Sequence, residues 1–563
     1  MAKITGSRQL AEMLRGYGVS HVFFVPDIAT EALGAMEGMG IRRIMAHGEK
    51  AAAYMADGYA RAAGRPGICM AQQIGASNLA AGLRDPYMAC APVIAITGCE
   101  VPANRYRHSY QDIEDFTQFA PVTKMNCRVE DVRRLPDLLR QAFRAATCDT
   151  PGPVHLQFPG QTAAYVLERE TDVPGRVEPQ YAAVPPFRPA PDPETLRQAV
   201  ARIAQAERPI VVAGGGVVAS GARQELVAFC EAFALPVATS LNAKDCVLDS
   251  HPLNVGVPGT YSRLSANQAI TTADLVIFVG SQAGGQVTHF WRVPAQGTPV
   301  VQIDINPAMM GRNYPDTMPI LADAKLALAA LTALAPATAP ASRAAWLAQV
   351  QGLRQAWWDS IAGFRNTGHQ PMRPEELGAA ISETLPPDGT LVSDTGYSGI
   401  WTATMVAFSH PSQRYIRCTG SLGWGLPGAI GVKCGTPNRK VVLWTGDGGF
   451  YYHIAELETA ARCGINLVVV CNNNASLNQV VAAYGAELTS YWRDIAAFRD
   501  TDFSQVAAAF GCVGMRVSTG AELREALAHG LSLDRPVVID AVTDPRAWPA
   551  TAWSPTSASP QTS

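Results

Sequence analysis

Residues 441–480 read VVLWTGDGGFYYHIAELETAARCGINLVVVCNNNASLNQV, and this stretch decides the fold. The apolar runs VVLWT and LVVVC have the length and β-branched content of buried strands, and a helical stretch separates them. Strand, helix and strand in that order build a parallel α/β unit, in which ligands sit beyond the carboxyl ends of the strands. Polar clusters stand at both ends: Gly446-Asp447-Gly448-Gly449 and Asn472-Asn473-Asn474. The Asp447 carboxylate and the Asn474 amide oxygen are hard ligands of the kind Mg²⁺ takes alongside phosphate oxygens. Glycines let the backbone approach a phosphate, and the helix that follows aims N–H groups at it. The pattern reads as an anchor for a Mg-diphosphate.

A Gly-Asp-Gly followed at this separation by a double Asn resembles the motif of thiamine-diphosphate-dependent enzymes. The resemblance implies metal ligands at Asp447, Asn474 and the backbone carbonyl of Ser476, with Gly446, Gly448 and Gly449 against the cofactor. A second element, HGEKAAAYMADGYAR at 47–61, is similar to the family stretch in which a Glu precedes Gly-Tyr-Ala-Arg, here Glu49 and Gly58-Tyr59-Ala60-Arg61. The family's chemistry wants a carboxyl there. Hydrogen-bonded to N1′ of the cofactor's aminopyrimidine, it promotes the imino form that removes the thiazolium C2 proton. Taken alone, Glu49 also reads as a first-turn Glu facing a helix dipole.

Composition agrees with a large enzyme. The 563 residues suffice for about three domains, each with a full core. A net charge of −3 and 17% charged residues give no basic footprint for nucleic acid and no polybasic membrane patch. The start MAKITGSRQLAEML lacks the apolar core of a signal peptide, and no apolar run is long enough to span a bilayer, so a cytoplasmic location is expected. The 12 cysteines form no CxxC pair, and Cys69, Cys99 and Cys471 lie in or beside strand-like runs, which suits buried reduced thiols.

Strand and helix signals alternate from Ser7 to about Gln157, from RPIVVAGGGVVASG through PVVQIDIN, and again from near Arg373 to near Val542. A Pro-rich joint lies between Glu168 and Pro193, and an Ala/Pro/Thr-rich one between Leu334 and Ser342. The expected fold class is α/β, with three doubly wound parallel-sheet domains. This order resembles the acetolactate synthase-like branch: a pyrimidine-binding domain at 1–167, a central nucleotide-fold domain at 190–340 and a diphosphate-binding domain at 370–545. A Ser/Thr/Pro-rich tail at 546–563 is expected to be flexible at its end. The resemblance further implies a site shared between subunits, Glu49 from one and Asp447 and Asn474 from another, hence a homodimer or homotetramer.

Finer matches fill in the site. LVSDTGYSGIW at 391–401 is similar to the loop that meets the diphosphate, with Gly396, Tyr397 and Ser398 in it. In GSLGWGLP at 420–427, Leu422 takes the place of the bulky apolar residue that bends the cofactor, and the Gly420 carbonyl is placed to receive the aminopyrimidine. Leu422 also reads as plain core packing. The substrate side departs from acetolactate synthases: Gln73-Ile74-Gly75-Ala76-Ser77-Asn78 and Pro26-Asp27-Ile28-Ala29 bring larger or polar groups. Gln111, in Ser109-Tyr110-Gln111-Asp112, remains a candidate for lining the site. Asp27 reads either as a proton donor or as a cap on the helix after it. In the central domain Gln282 and Gln286 stand where flavin-binding members carry arginines, so FAD is expected to be lost or weak, with an adenine nucleotide as the lesser possibility.

The family reading expects decarboxylation of a 2-oxo acid and ligation of the resulting acyl carbanion to a second carbonyl. Cleavage of a 2-hydroxyacyl thioester or diketone, or decarboxylation of an aromatic 2-oxo acid, is the alternative. A catalytically idle partner subunit is disfavoured by the presence of Glu49, Asp447 and Asn474.

Overall fold

The computed structural model describes residues 3–337, 342–483 and 492–555. Part of the second joint and the end of the tail, residues 338–341 and 556–563, lie outside these. Three six-stranded sheets carry the described chain, and every strand pairing within them is parallel. Both faces of such a sheet are covered by helices, so its strands read as continuous apolar runs rather than alternating ones. Val441–Gly446, Val468–Asn473, Val93–Cys99 and Leu275–Val279 have that character.

The first sheet holds, along the chain, His21–Phe24, Arg42–Met45, Gly67–Ala71, Val93–Cys99, Met125–Arg128 and Val154–Pro159, in spatial order 2-1-3-4-6-5. The third holds Thr390–Ser393, Arg414–Arg417, Val441–Gly446, Val468–Asn473, Val513–Val517 and Val537–Val542, in the same order 2-1-3-4-6-5. The central sheet, Pro209–Ala213 to Met318–Leu321, runs 3-2-1-4-5-6, the order of dinucleotide-binding folds. In the third sheet the order reverses between its first and third strands, which places a crevice beyond Ser393 and Gly446.

The first and third sheets are joined through helices rather than edge to edge. Helix Glu49–Ala63 crosses helix Gly425–Gly435 so closely that a Cβ on Gly58 would stand 2.0 Å from the Gly428 carbonyl oxygen, and one on Gly431 would stand 1.9 Å from that of Met55. Glycine is required at both positions by backbone contact. The crossing explains Gly58 in the Gly-Tyr-Ala-Arg element. All 12 cysteines are free thiols; Cys69, Cys99 and Cys471 are buried.

Candidate active site

Strands Val441–Gly446 and Val468–Asn473 are direct neighbours, with Gly446 opposite Asn472, so the two polar clusters meet at one end of the sheet. Asp447 is buried. Its Oδ1 accepts the Gly448 amide at 2.6 Å, and its Oδ2 accepts the amides of Asn474 and Ser476, both at 3.1 Å. Burial raises its carboxyl to about 6, against the pull of those N–H donors.

The three asparagines divide their roles. Asn472 Oδ1 accepts the Thr543 hydroxyl at 2.6 Å and Asn473 donates to Asp540 at 2.8 Å, so both serve the scaffold. Asn474 Oδ1 is buried without a partner, as is the Ser476 hydroxyl. An unpartnered buried acceptor beside a buried carboxylate is costly unless a cation or donor completes it. No group of three His, Cys, Asp or Glu among the described residues could hold a metal. A cation at Asp447 would therefore draw on one carboxylate, an amide oxygen, a carbonyl and phosphate oxygens, the donor mix suited to Mg²⁺.

These residues line a cavity of about 330 Å³ together with Gly396, Tyr397, Ser398, Gly420, Leu422, Gly446, Gly448 and Gly449. Leu422 is half-buried on the cavity wall and belongs to no core cluster, which removes the reading of it as plain core. Gly396, at φ 67° and ψ −144°, starts helix Tyr397–Met405 in a conformation that favours glycine.

Asp394 and Tyr261 had not been singled out from sequence. Asp394, at the end of the first strand, accepts the amides of Thr395 (2.8 Å), Gly425 (3.1 Å) and Gly423 (3.2 Å) and the Thr445 hydroxyl (3.2 Å). It ties the 420–425 loop to the strand ends, and burial raises its carboxyl to about 6. A Cβ at Gly449 would come within 2.9 Å of its Oδ2, so the last glycine of the cluster makes room for this carboxylate. Tyr261, from the central unit, also lines the cavity. A strand-end Asp two residues before a glycine was the available signal for Asp394; Tyr261 comes from a distant loop and had none.

Asp27, Glu49 and Gln111 line no part of this cavity; its walls come from Tyr261 and residues 395–480. Glu49 opens helix Glu49–Ala63 beyond the end of strand Arg42–Met45. The Asn78 side-chain amide donates to it at 3.2 Å, and a Cβ on Gly75 would meet its Oε1 at 2.4 Å. Asp27 is exposed and accepts the Thr30 hydroxyl at 2.9 Å; helix Thr30–Ala35 has Ala29 at its N-cap, so the capping reading of Asp27 does not hold as a backbone cap. Gln111 has φ 64° beside Asp112, which accepts the buried Gln73 at 2.9 Å. The three thus belong to the carboxyl end of the first sheet, separate from the third-sheet cavity of the same chain.

In the central unit Gln282 and Gln286 line a second cavity of about 390 Å³ with Gly214, Gly215, Gly216 and Asp304. Among the described residues, Arg417 is the one guanidinium on its walls.

Family models agree with this architecture. Residues 4–119 match the N-terminal TPP binding domain of thiamine pyrophosphate enzymes, 196–331 their central domain and 394–541 their C-terminal TPP binding domain. The chain is 30% identical to a probable acetolactate synthase large subunit of Methanocaldococcus jannaschii over 96% of its own length and 92% of that protein. It is 29% identical to the acetolactate synthase large subunit of Corynebacterium glutamicum, over 97% and 88%. To the acetolactate synthase of Mycobacterium bovis it is 30% identical, over 98% and 90%. Two half-sites at sheet ends, three matched domains and near full-length similarity converge: the chain belongs to the thiamine pyrophosphate enzymes, in their acetolactate synthase-like branch.

Proposed function

We propose that this protein is a thiamine-diphosphate- and Mg²⁺-dependent carboligase that decarboxylates a 2-oxo acid and joins the acyl unit to a second carbonyl compound. The names carried by its relatives support the reaction class. The observation that carries the reading is the pairing of buried Asp447 with the unpartnered Oδ1 of Asn474 in a cavity walled by Gly396 and Leu422. When bound, the cofactor supplies an electron sink for the carbanion left by loss of CO₂. Asp447, Asn474 and Ser476 would hold the metal that neutralises the diphosphate. Gly446, Gly448, Gly449, Gly396, Tyr397 and Ser398 would enclose the diphosphate, Leu422 would stand against the cofactor rings, and the Gly420 carbonyl would accept the amino group. Glu49 holds the proton at N1′. Gln111 and Asp27 face the substrate.

Glu49 and Asp447 belong to separate half-sites of one chain, so the complete site takes Glu49 from a second copy, and the working unit is at least a homodimer. The three units are assigned to 1–167, 190–340 and 370–545, with the tail at 546–563. With glutamines at 282 and 286, the central cavity holds FAD weakly. No helix among the described residues is long and apolar enough to cross a membrane.

Mixing two inactive variants tests the shared site. Glu49→Gln and Asp447→Ala dimers, allowed to exchange subunits, form heterodimers with one intact site of two, and about a quarter of wild-type ligation activity should return. A mixture as inactive as its components would overturn the two-copy site.

A further inference from the structure

A third crevice, of about 500 Å³, opens where the three units meet. It shares a wall with the central cavity and none with the cofactor cavity. Six arginines line it, Arg61, Arg188, Arg223, Arg414, Arg417 and Arg439, against a single carboxylate among its lining residues, Asp245.

Three of the six are already paired. Arg61 meets Asp57 at 3.0 Å, and Arg188 meets Asp323 at 2.9 Å. Arg223 takes Asp245 at 2.7 Å and leaves its buried Nε without a partner. Arg414 donates only to the carbonyls of Pro411 and Gln413, and Arg439 to those of Gly389 and Ser412 and to the Thr390 hydroxyl. Burial first, with repulsion from Arg223 added, holds both of these guanidinium groups below their usual range.

Arg417 is the most unusual of the set. It is 6% exposed, its Nε is buried and unpartnered, and its side chain makes no hydrogen bond or ion pair among the described residues. A buried guanidinium without a counter-charge is strongly unfavourable, whereas one that waits for an anion is a binding group. Small apolar residues such as Ala62, Ala63 and Pro92 also line the crevice, which leaves room for an uncharged organic body beside the charge.

We propose that this crevice binds a small phosphate-bearing organic anion, with Arg414, Arg417 and Arg439 supplying the positive charge along its walls. The planar forks of arginine suit the oxygens of a phosphate better than point charges do. Arg417 directly precedes the 418–421 loop, and Arg61 donates to its carbonyl at 2.8 Å, so the occupied crevice abuts the segment that carries Gly420.

Glycerol 3-phosphate is a suitable probe, because it has no carbonyl for the ligation chemistry to consume. Calorimetric titration of protein loaded with thiamine diphosphate and Mg²⁺ should show one glycerol 3-phosphate per chain with the cofactor retained, and no heat from glycerol. Arg414→Gln, Arg439→Gln and Arg417→Met should each weaken binding by at least about tenfold, the loss expected for one charge-assisted contact. Arg417→Met should also raise the melting temperature of the unliganded holoenzyme, the opposite of what removing a structural arginine does. If Arg417→Met does not fold, the two half-buried positions decide. No binding to wild type, unchanged affinity in Arg414→Gln and Arg439→Gln, or binding that displaces the cofactor would overturn the proposal.

Discussion

Asp85 of the first unit accepts Thr419 of the third twice with one oxygen, from its amide at 2.9 Å and from its hydroxyl at 2.5 Å. The other oxygen takes the amides of Gly420 at 3.1 Å and Ser421 at 3.0 Å. One buried carboxylate therefore fixes the loop that presents Gly420 and Leu422. Burial works to raise its proton affinity, but Arg61 and the Thr419 donors outweigh that and hold Asp85 below the usual carboxylate range.

Asp85→Ala strands three buried or half-buried amides. A cost of about 2–4 kcal/mol in stability is expected, together with weaker cofactor retention because the 420–422 loop loses its tether. Thermal melting with and without cofactor checks both. A variant that melts and binds like wild type would show that the loop holds itself.

Asp447→Ala should abolish Mg²⁺-dependent retention of thiamine diphosphate, since the diphosphate charges lose the ion that neutralises them. Calorimetry in Mg²⁺ decides, and wild-type affinity in the variant would remove the metal assignment.

Glu49→Gln should keep the fold and most cofactor affinity while slowing deuterium exchange at the cofactor C2 by orders of magnitude, because an amide cannot pass the proton that N1′ requires. Exchange at the wild-type rate would end the role given to Glu49.

Stability should fall as the pH rises through the Asp394 titration. Its folded carboxyl lies at about 6, above the ordinary aspartate value of the unfolded chain. The folded state thus holds the proton more tightly. The stability this contributes is full below the unfolded value and is lost as the pH rises through about 6, a term of about 3 kcal/mol. In Asp394→Asn the fall in melting temperature between about pH 5 and 7 should be smaller than in wild type. An equal fall would show that other groups set the slope.

Freshly purified protein should be colourless. Glutamines at 282 and 286 lack the charge-assisted contacts an arginine would offer, and two such contacts are worth roughly two to four orders of magnitude in affinity. Stoichiometric flavin absorbance would show that the central cavity holds FAD by other means.

What the sequence disclosed was local. Strand, glycines and Asp447 sit within a few residues, and their chemistry is readable because the chain itself brings them to one strand end. The Asn474 cluster was legible for the same reason, one helix later. Asp394 stays inconspicuous in the sequence, because its partners at Gly423, Gly425 and Thr445 become neighbours only through sheet order. Asp85 and Arg417 were invisible for a stronger reason: a carboxylate that holds a loop over three hundred residues away, and a guanidinium defined by the lack of a partner, leave no periodicity or spacing. Asp27 does not cap the helix because Ala29 holds the N-cap position and Asp27 reaches only the Thr30 hydroxyl, not a backbone N–H.

The crossing of helices 49–63 and 425–435 has a dynamic consequence. Where backbone meets backbone at Gly58 and Gly428, no side chain is available to slide, swing or yield. Rotation of the first unit against the third would have to break this backbone contact, so the crossing resists relative movement of the two sheets. A methyl group at position 58 would act as a wedge, changing the angle between the two helices and with it the spacing of both half-sites they carry.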